Sequence, residues 1–492
     1  MSNGVETPSG KLVGTVEEGV RAFRGIPFAK PPVGALRFAA PQTHEPWTGE
    51  RDATGFGCSA HQNPMMLPLP GMEVGPQSED CLFANVWAPE GATGLPVMVW
   101  IHGGGFVIGS GSQEIYDGAP LAHRGNVVVV SLNYRLGSFG FLHLSDLCPE
   151  MEGVADNVGM RDQVAGLEWV QRHIEAFGGD PGNVTIFGES AGGMSVGTLL
   201  GMPSARGLFH KAIPQSGACH NFHTREAASK VAAIFLDALG ISPAQAATQL
   251  REVPAEKLVE AQGSTHLGLG TTLGLLPFQP VLCADTLPAP SLGVVRAGEL
   301  AGVPILVGST RDEWKLFGMM DPEVYKLDEA GMLAKLGDVL PEIDARQVME
   351  VYGGESRPPV DVFFAAQTDR IFRIPAVRLA EAQHPHAPVY MYRVDWESPA
   401  LGGMLGACHA IELPFVFGSH GKPGGDQFVG SGPEADTLAE QMMDAWSSFA
   451  RAGNPGWQAF DSDTRATMLF GRETAIAHDP APTERLAWEG LL

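Results

Sequence analysis

The segment Gly188-Glu189-Ser190-Ala191-Gly192-Gly193 follows the apolar run NVTIF and precedes MSVGTLL, so one serine stands between a strand-like and a helix-like stretch. Small residues two before and two after a serine permit a sharp, strained turn that lifts its hydroxyl clear of the backbone. The turn also sets the serine at a helix N-terminus, where free N–H groups and the macrodipole favour negative charge. A serine so placed is the nucleophile of covalent acyl transfer, provided that a histidine takes its proton and a carboxylate orients that histidine. G-x-S-x-G also describes an ordinary glycine-rich turn; its position between strand and helix favours the chemical reading.

In hydrolases with this turn the chain order is nucleophile, acid, histidine. Five histidines, His384, His386, His409, His420 and His478, come after the apolar run VPILVG at 303–308. His409 lies in GACHAIELPFVFG, between a small-residue approach and an apolar segment able to anchor its loop, so it is the preferred base. In VPILVGSTRDEWKLFG both Asp312 and Glu313 stand just past the end of a predicted strand, where catalytic loops of α/β sheets gather. Spacing does not separate the two. A further stretch, IHGGGFVIGSGS from Ile101 to Ser112, fixes three consecutive glycines at a high entropic cost. It has neither the G-K-[ST] of a phosphate loop nor the G-x-G-x-x-G of a dinucleotide fold. Bare N–H groups aimed at a developing oxyanion are its best chemical use.

These residues need a rigid frame, and the apolar runs supply one. LPVMVWI (95–101), NVVVVSLNY (126–134), NVTIFG (183–188), VPILVG (303–308) and PVYMYRV (388–394) read as buried strands bounded by Gly, Pro or Asn. MRDQVAGLEWVQRHIEAFGG repeats Val164, Leu167, Val170, Ile174 and Phe177 at helical spacing and ends at Gly178-Gly179. Glu18-Gly19 marks a hairpin near the start. Strands that are apolar throughout, alternating with helices, predict an α/β protein with a large, mostly parallel sheet covered on both faces. Residues 225–300 read as a cap-like insertion into a single domain spanning 1–492.

The chain carries 32 basic against 56 acidic residues, a formal net charge of −24, which repels phosphate backbones and argues against nucleic acid as a partner. No run of ~18 apolar residues predicts a membrane span, and the N-terminal stretch lacks a secretory pattern, so the expectation is a cytoplasmic protein. The six cysteines, Cys58, Cys81, Cys148, Cys219, Cys283 and Cys408, show no metal-ligand spacing, and neither a metal nor a cofactor is expected.

The sequence strongly resembles the type-B carboxylesterase family through GIPFAKPPVGALRF, EDCLFANVWAP, VWIHGGGF, NYRLGSFGFL, DNVGMRDQVAGLEWV, FGGDPGNVTIFGESAGG, GSTRDE, HAIELPFVFG and AWSSFARAGNP, which run through nearly the whole chain. The resemblance implies an α/β-hydrolase fold. It also implies a carboxylic ester hydrolase with Ser190 as nucleophile, Glu313 as acid and His409 as base, and with Gly104, Gly105 and Ala191 lending N–H groups to the oxyanion. Glu189, beside the nucleophile, and Ser216, in QSG, match residues that relatives keep near the site. Ala84 and the Cys283-Ala284 pair depart from the family pattern outside this set. A Cys58 to Cys81 bridge, as in secreted relatives, stays open. The apolar loops PMMLPLPGM (64–72) and LGLLPF (273–278) are expected to line the pocket, so the expected substrate is an uncharged small-molecule ester with a bulky or medium-length apolar group, with carbamates and amides within reach of the same chemistry. A silent interaction protein of the same fold is the competing class. The assembly is expected to be a monomer or a small homo-oligomer.

Overall fold

Alternate residues of the run 95–101 enter opposite cores: Val97, Val99 and Ile101 pack on one side, Met98 and Trp100 on the other. This is what period-2 side-chain alternation does when both faces of a sheet are covered. The structure, a computed structural model, describes residues 3–65, 71–269, 276–341, 343–353 and 357–491.

Eleven strands form the main sheet: β1 (Thr15–Glu17), β2 (Val20–Pro27), β3 (Phe83–Pro89), β4 (Leu95–Ile101), β5 (Val128–Leu132), β6 (Gly179–Glu189), β7 (Lys211–Gln215), β8 (Ile305–Thr310), β9 (Val389–Val394), β10 (Ala466–Phe470) and β11 (Ala475–His478). Their spatial order is β11-β10-β9-β8-β7-β6-β4-β5-β3-β2-β1. The run from β10 to β5 is parallel, with β4 paired to both β5 and β6. β11 and the three strands β3, β2 and β1 add antiparallel edges. The expected hairpin joins β1 to β2 through Glu18 and Gly19, both at positive φ, as a two-residue turn of matching twist requires. Strands Gly4–Thr7, Gly10–Val13 and Glu50–Asp52 form a small separate sheet.

Helix α1 (Val158–His173) covers the β5 to β6 crossover, and α2 (Ala191–Gly201) follows β6 directly. The helical pattern predicted to Phe177 ends earlier as an α-helix: Ile174–Phe177 tightens to a 3-10 turn, closed by Gly178 at φ +91°. A Cβ at Gly178 would lie 2.2 Å from the Ala92 carbonyl oxygen, so close approach selects glycine there. On the opposite face Leu438, Met442, Trp446 and Phe449 of helix Pro433–Ala452 bury against Trp100, Phe187 and Tyr392. Arg135 and Asp162, both buried, join the segment after β5 to α1 through contacts of 2.7 and 2.8 Å.

Two helical excursions leave the sheet. The first, with helices Arg225–Ala238, Pro243–Gln249, Ala255–Leu269 and Ser291–Arg296, lies between β7 and β8. The second, between β8 and β9, runs from Trp314–Gly318 to Ile374–Gln383 and has no counterpart among the sequence expectations. All six cysteines are free thiols, so Cys58 and Cys81 are not bridged. No single helix among the described residues is long and apolar enough to cross a membrane.

Candidate active site

Between β6 and α2 the chain passes through Ser190 at φ +57°, ψ −125°, a region non-glycine residues rarely enter. Its N–H donates to the Gln215 carbonyl at 3.0 Å, and its own carbonyl accepts from Met194 N–H at 2.8 Å. A Cβ added at Gly188 or Gly192 would lie 2.6 or 2.0 Å from the Ile101 carbonyl oxygen, and one at Gly193 would lie 2.4 Å from that of Gln215. The glycines around Ser190 are therefore required by the wedging of this turn between β4 and β7. Ser190 is partly exposed, and its hydroxyl has no hydrogen-bond partner among the described residues.

Glu313 lies three residues past β8, fully buried, and meets His409 Nδ1 through Oε2 at 2.5 Å. Its other oxygen accepts from Thr310 N–H at 2.7 Å and from the Ser216 hydroxyl at 2.6 Å. Both oxygens are thus held, and the imidazole is oriented with Nε2 as the nitrogen left for proton transfer. Asp312 turns the other way, to Arg311 and to the Ala407 N–H. The choice that spacing left open is made by side-chain direction. Phe317 and Phe372 pack against His409 with ring centroids 5.0 and 4.9 Å away. Phe372 comes from a π-helical turn, Asp369–Arg373, set between helices Pro359–Thr368 and Ile374–Gln383.

Three buried carboxyl groups surround this histidine. Glu189 Oε1 is 3.0 Å from His409 Nε2 but off the N–H direction, an ion-pair contact without a hydrogen bond. Glu412 accepts from Gln215 Nε2 at 3.2 Å through Oε1, and its Oε2 is unpartnered. Burial pushes the Glu189 carboxyl well above the usual carboxylate range, against His409 and with help from Glu412 and Glu313. Burial and then Glu313 push Glu412 up to about 7. Burial acts downward on His409, but the carboxyl groups of Glu189, Glu313 and Glu412 outweigh it and raise the imidazole. Glu189 and Glu412 thus hold their protons more tightly than usual, while Glu313 is the carboxyl group that hydrogen-bonds His409.

The glycine run borders Ser190. A Cβ at Gly103 would lie 2.7 Å from the Glu189 carbonyl oxygen and 3.1 Å from Ser190 Cβ, and one at Gly104 (φ +108°) would lie 2.1 Å from the Ile108 carbonyl oxygen. Gly105 (φ +61°) has room; its nearest neighbour, Leu276 Cδ2, would be 3.5 Å away. The N–H groups of Gly104 and Gly105 have no acceptor among the described residues, and Ala191, opening α2, has none within its helix. Of the two loops expected to receive substrate, residues 66–70 and 270–275 lie outside the described residues. No group of three or more His, Cys, Asp or Glu among the described residues could hold a metal ion.

Sequence reasoning missed Glu412, Phe317 and Phe372. Glu412 had a signal, as the lone acid in the apolar run AIELPFVF, and Phe317 follows Glu313 by one helical turn. Phe372 had no local signal, since only the π-helical turn brings it to His409.

A model of the carboxylesterase family matches residues 1–484. The para-nitrobenzyl esterase of Bacillus subtilis (strain 168) is 43% identical over 491 residues, covering 98% of this chain and 97% of its own. The phenmedipham hydrolase of Pseudarthrobacter oxydans is 35% identical over 504 residues, covering 98% of each. Among solved structures, a Geobacillus stearothermophilus carboxylesterase superposes with a TM-score of 0.89 at 40% identity, covering 99% of this chain and all of the other.

Proposed function

The chain belongs to the carboxylesterase family, with the α/β-hydrolase fold and the serine-hydrolase chemistry of carboxylic esters, and we propose that Ser190, His409 and Glu313 are its catalytic triad. Ser190 Oγ attacks the ester carbonyl while His409 Nε2 takes its proton. The C–O bond then breaks, His409 returns the proton to the departing alcohol, and an acyl-serine remains. Water, deprotonated by the same nitrogen, attacks that acyl group and releases the carboxylate and free Ser190. Glu313 holds the imidazole and stabilises its charged form. The N–H groups of Gly104, Gly105 and Ala191 receive the oxyanion, a contact fully made only in the transition state.

The observation that carries this reading is His409 Nδ1 held by Glu313 Oε2 at 2.5 Å, in a chain whose Ser190 stands at a strained strand-to-helix turn with its hydroxyl unengaged among the described residues. Substrate is a small-molecule ester. An apolar acyl or alcohol group is favoured, supported by the Phe317 and Phe372 rings beside His409 and by Leu276 facing Gly105. The whole chain acts as one catalytic unit, with the helices of 225–300 as its cap. The six free thiols fit work in a reducing compartment such as the cytoplasm.

Purified protein is expected to hydrolyse p-nitrophenyl esters and to be labelled on Ser190 by an organophosphonate. Ser190→Ala should lower kcat by at least about 10³-fold at unchanged folding. Turnover that survives this change would sink the assignment of the nucleophile.

A further inference from the structure

Asp312 is a partly buried carboxylate beside the acid, and its contacts lead to the loop that carries the base. Its N–H donates to the Ala407 carbonyl at 2.8 Å, and its Oδ2 accepts the Ala407 N–H at 3.0 Å. One residue thus grips both backbone groups of Ala407, two positions before His409. The grip is reinforced from behind. Arg311 reaches the same oxygen through Nη2 at 2.9 Å and holds Glu397, at the start of the same loop, at 2.5 Å. Lys315 stands 3.6 Å from Oδ1. The loop is shaped to admit the carboxylate: a Cβ at Gly406 would lie 2.6 Å from Asp312 Oδ2 and 2.8 Å from Lys315 Nζ, and Gly406 has φ +54°.

The acid and base come from loops after different strands, β8 and β9, so their alignment is not set by either loop alone. Glu313 is secured independently of the His409 loop, by Thr310 N–H within its own loop and by the Ser216 hydroxyl just past β7. His409 has no comparable tie to its own loop among the described residues; its imidazole is bounded by Glu313, Glu189 and Glu412 and by the Phe317 and Phe372 rings. The Asp312 to Ala407 clasp is the connection nearest to both residues. It joins the position before Glu313 to the position two before His409.

We propose that Asp312 is a positioning residue for ester hydrolysis, which aligns His409 with Glu313 by clasping Ala407, a role that rests on the triad reading above. Asp312 does not touch substrate and transfers no proton. Arg311 and Lys315 keep its carboxylate ionised, and their pull, with the Ala407 N–H, outweighs burial and holds it below its ordinary range.

The test compares Asp312→Ala, Asp312→Asn and Gly406→Ala with the parent and with Ser190→Ala, using kcat, KM and the pH profile of kcat on p-nitrophenyl acetate, with thermal melting as the check on folding. Asp312→Ala should lower kcat about 10- to 100-fold, the size of effect expected from a small misplacement of reacting groups, with KM changed less than about threefold. The acid limb of kcat should move to lower pH by about half a unit, because a misaligned Glu313 supports the imidazolium less well. Gly406→Ala should reproduce this from the loop side while keeping Asp312. Asp312→Asn should recover to within about fivefold of the parent, since its amide oxygen still accepts the Ala407 N–H. A merely structural role would scale activity with the folded fraction and leave the acid limb in place, and that result overturns the proposal. So does parental kcat in both Asp312→Ala and Gly406→Ala, or an Asn variant as impaired as the Ala variant. An active Ser190→Ala would instead bring down the triad reading.

Discussion

At the scale of single residues, the environment of His409 is set by how many carboxyl groups can share one buried space. Like charges a few ångströms apart cannot all ionise at low dielectric, so protons are retained on the groups with fewest compensating donors. Glu313 has Thr310 N–H, Ser216 and His409 as partners, whereas among the described residues Glu412 has Gln215 as its one side-chain donor and Glu189 only an ill-aligned imidazole. Glu412 accordingly has a measurable signature in stability. Its carboxyl is raised from 4.5 to about 7 in the folded chain, so the native state binds this proton more tightly than the unfolded state does. Its contribution is complete below pH 4.5 and is lost as pH rises to about 7. Glu412→Gln removes that dependence. Urea midpoints at pH 4.5 and 8 should show the variant gaining on the parent by on the order of 1–3 kcal/mol at the higher pH. Parallel curves for the two proteins would refute it.

At the scale of elements, the glycine run after β4 shows two different reasons for lacking side chains. Gly103 and Gly104 are excluded from substitution by backbone packing, against the Glu189 and Ile108 carbonyl oxygens, whereas Gly105 is constrained chiefly by its positive φ. The two substitutions should therefore separate folding from catalysis. Gly104→Ala must displace the Ile108 carbonyl and should lower the melting temperature by several degrees, as overpacking by about 1–3 kcal/mol does. Gly105→Ala meets no backbone but carries a left-handed penalty of about 1–2 kcal/mol; relief of that strain swings its N–H away from the proposed oxyanion position, so kcat should fall about 10- to 10³-fold with little change in KM. Equal kcat in Gly105→Ala and parent would remove Gly105 from the oxyanion site. The same logic of backbone contact governs the turn at Ser190, where three glycines meet the Ile101 and Gln215 carbonyls.

At the scale of the whole molecule, the net charge of −24 sets a long-range term that no local contact reveals. Ion pairs such as Arg124 with Asp444 and Lys230 with Glu226 are exposed, so solvent screening leaves each a minor contribution. Self-repulsion among the excess acids acts over the entire surface and opposes the compact state. Screening should relieve the repulsion more than it weakens the pairs. Raising NaCl from about 10 to 200 mM, which shortens the screening length from about 30 to under 10 Å, is expected to raise the melting temperature by a few degrees. A flat or falling dependence would show that the local pairs dominate.

The central strands, the crossover helix, the β1 to β2 hairpin and the turn at Ser190 were legible because each rests on local periodicity or a short glycine pattern, whereas His409 and Glu313 were singled out by resemblance to the family. The helices between β8 and β9 were not, since amphipathic stretches there resemble those of any surface segment until a neighbour buries one face. Residue type and spacing by themselves determined the α/β class, the strained serine turn and two adjacent acids, Asp312 and Glu313, either of which could serve. The family resemblance pointed to Glu313, and the tertiary structure shows the two acids diverging, Glu313 to His409 and Asp312 to Ala407. Tertiary structure also brought Glu189, Glu412, Phe317 and Phe372 around one imidazole. The reason is physical: neighbouring side chains in a loop point in different directions, and contacts across a hundred residues are set by which strands lie side by side.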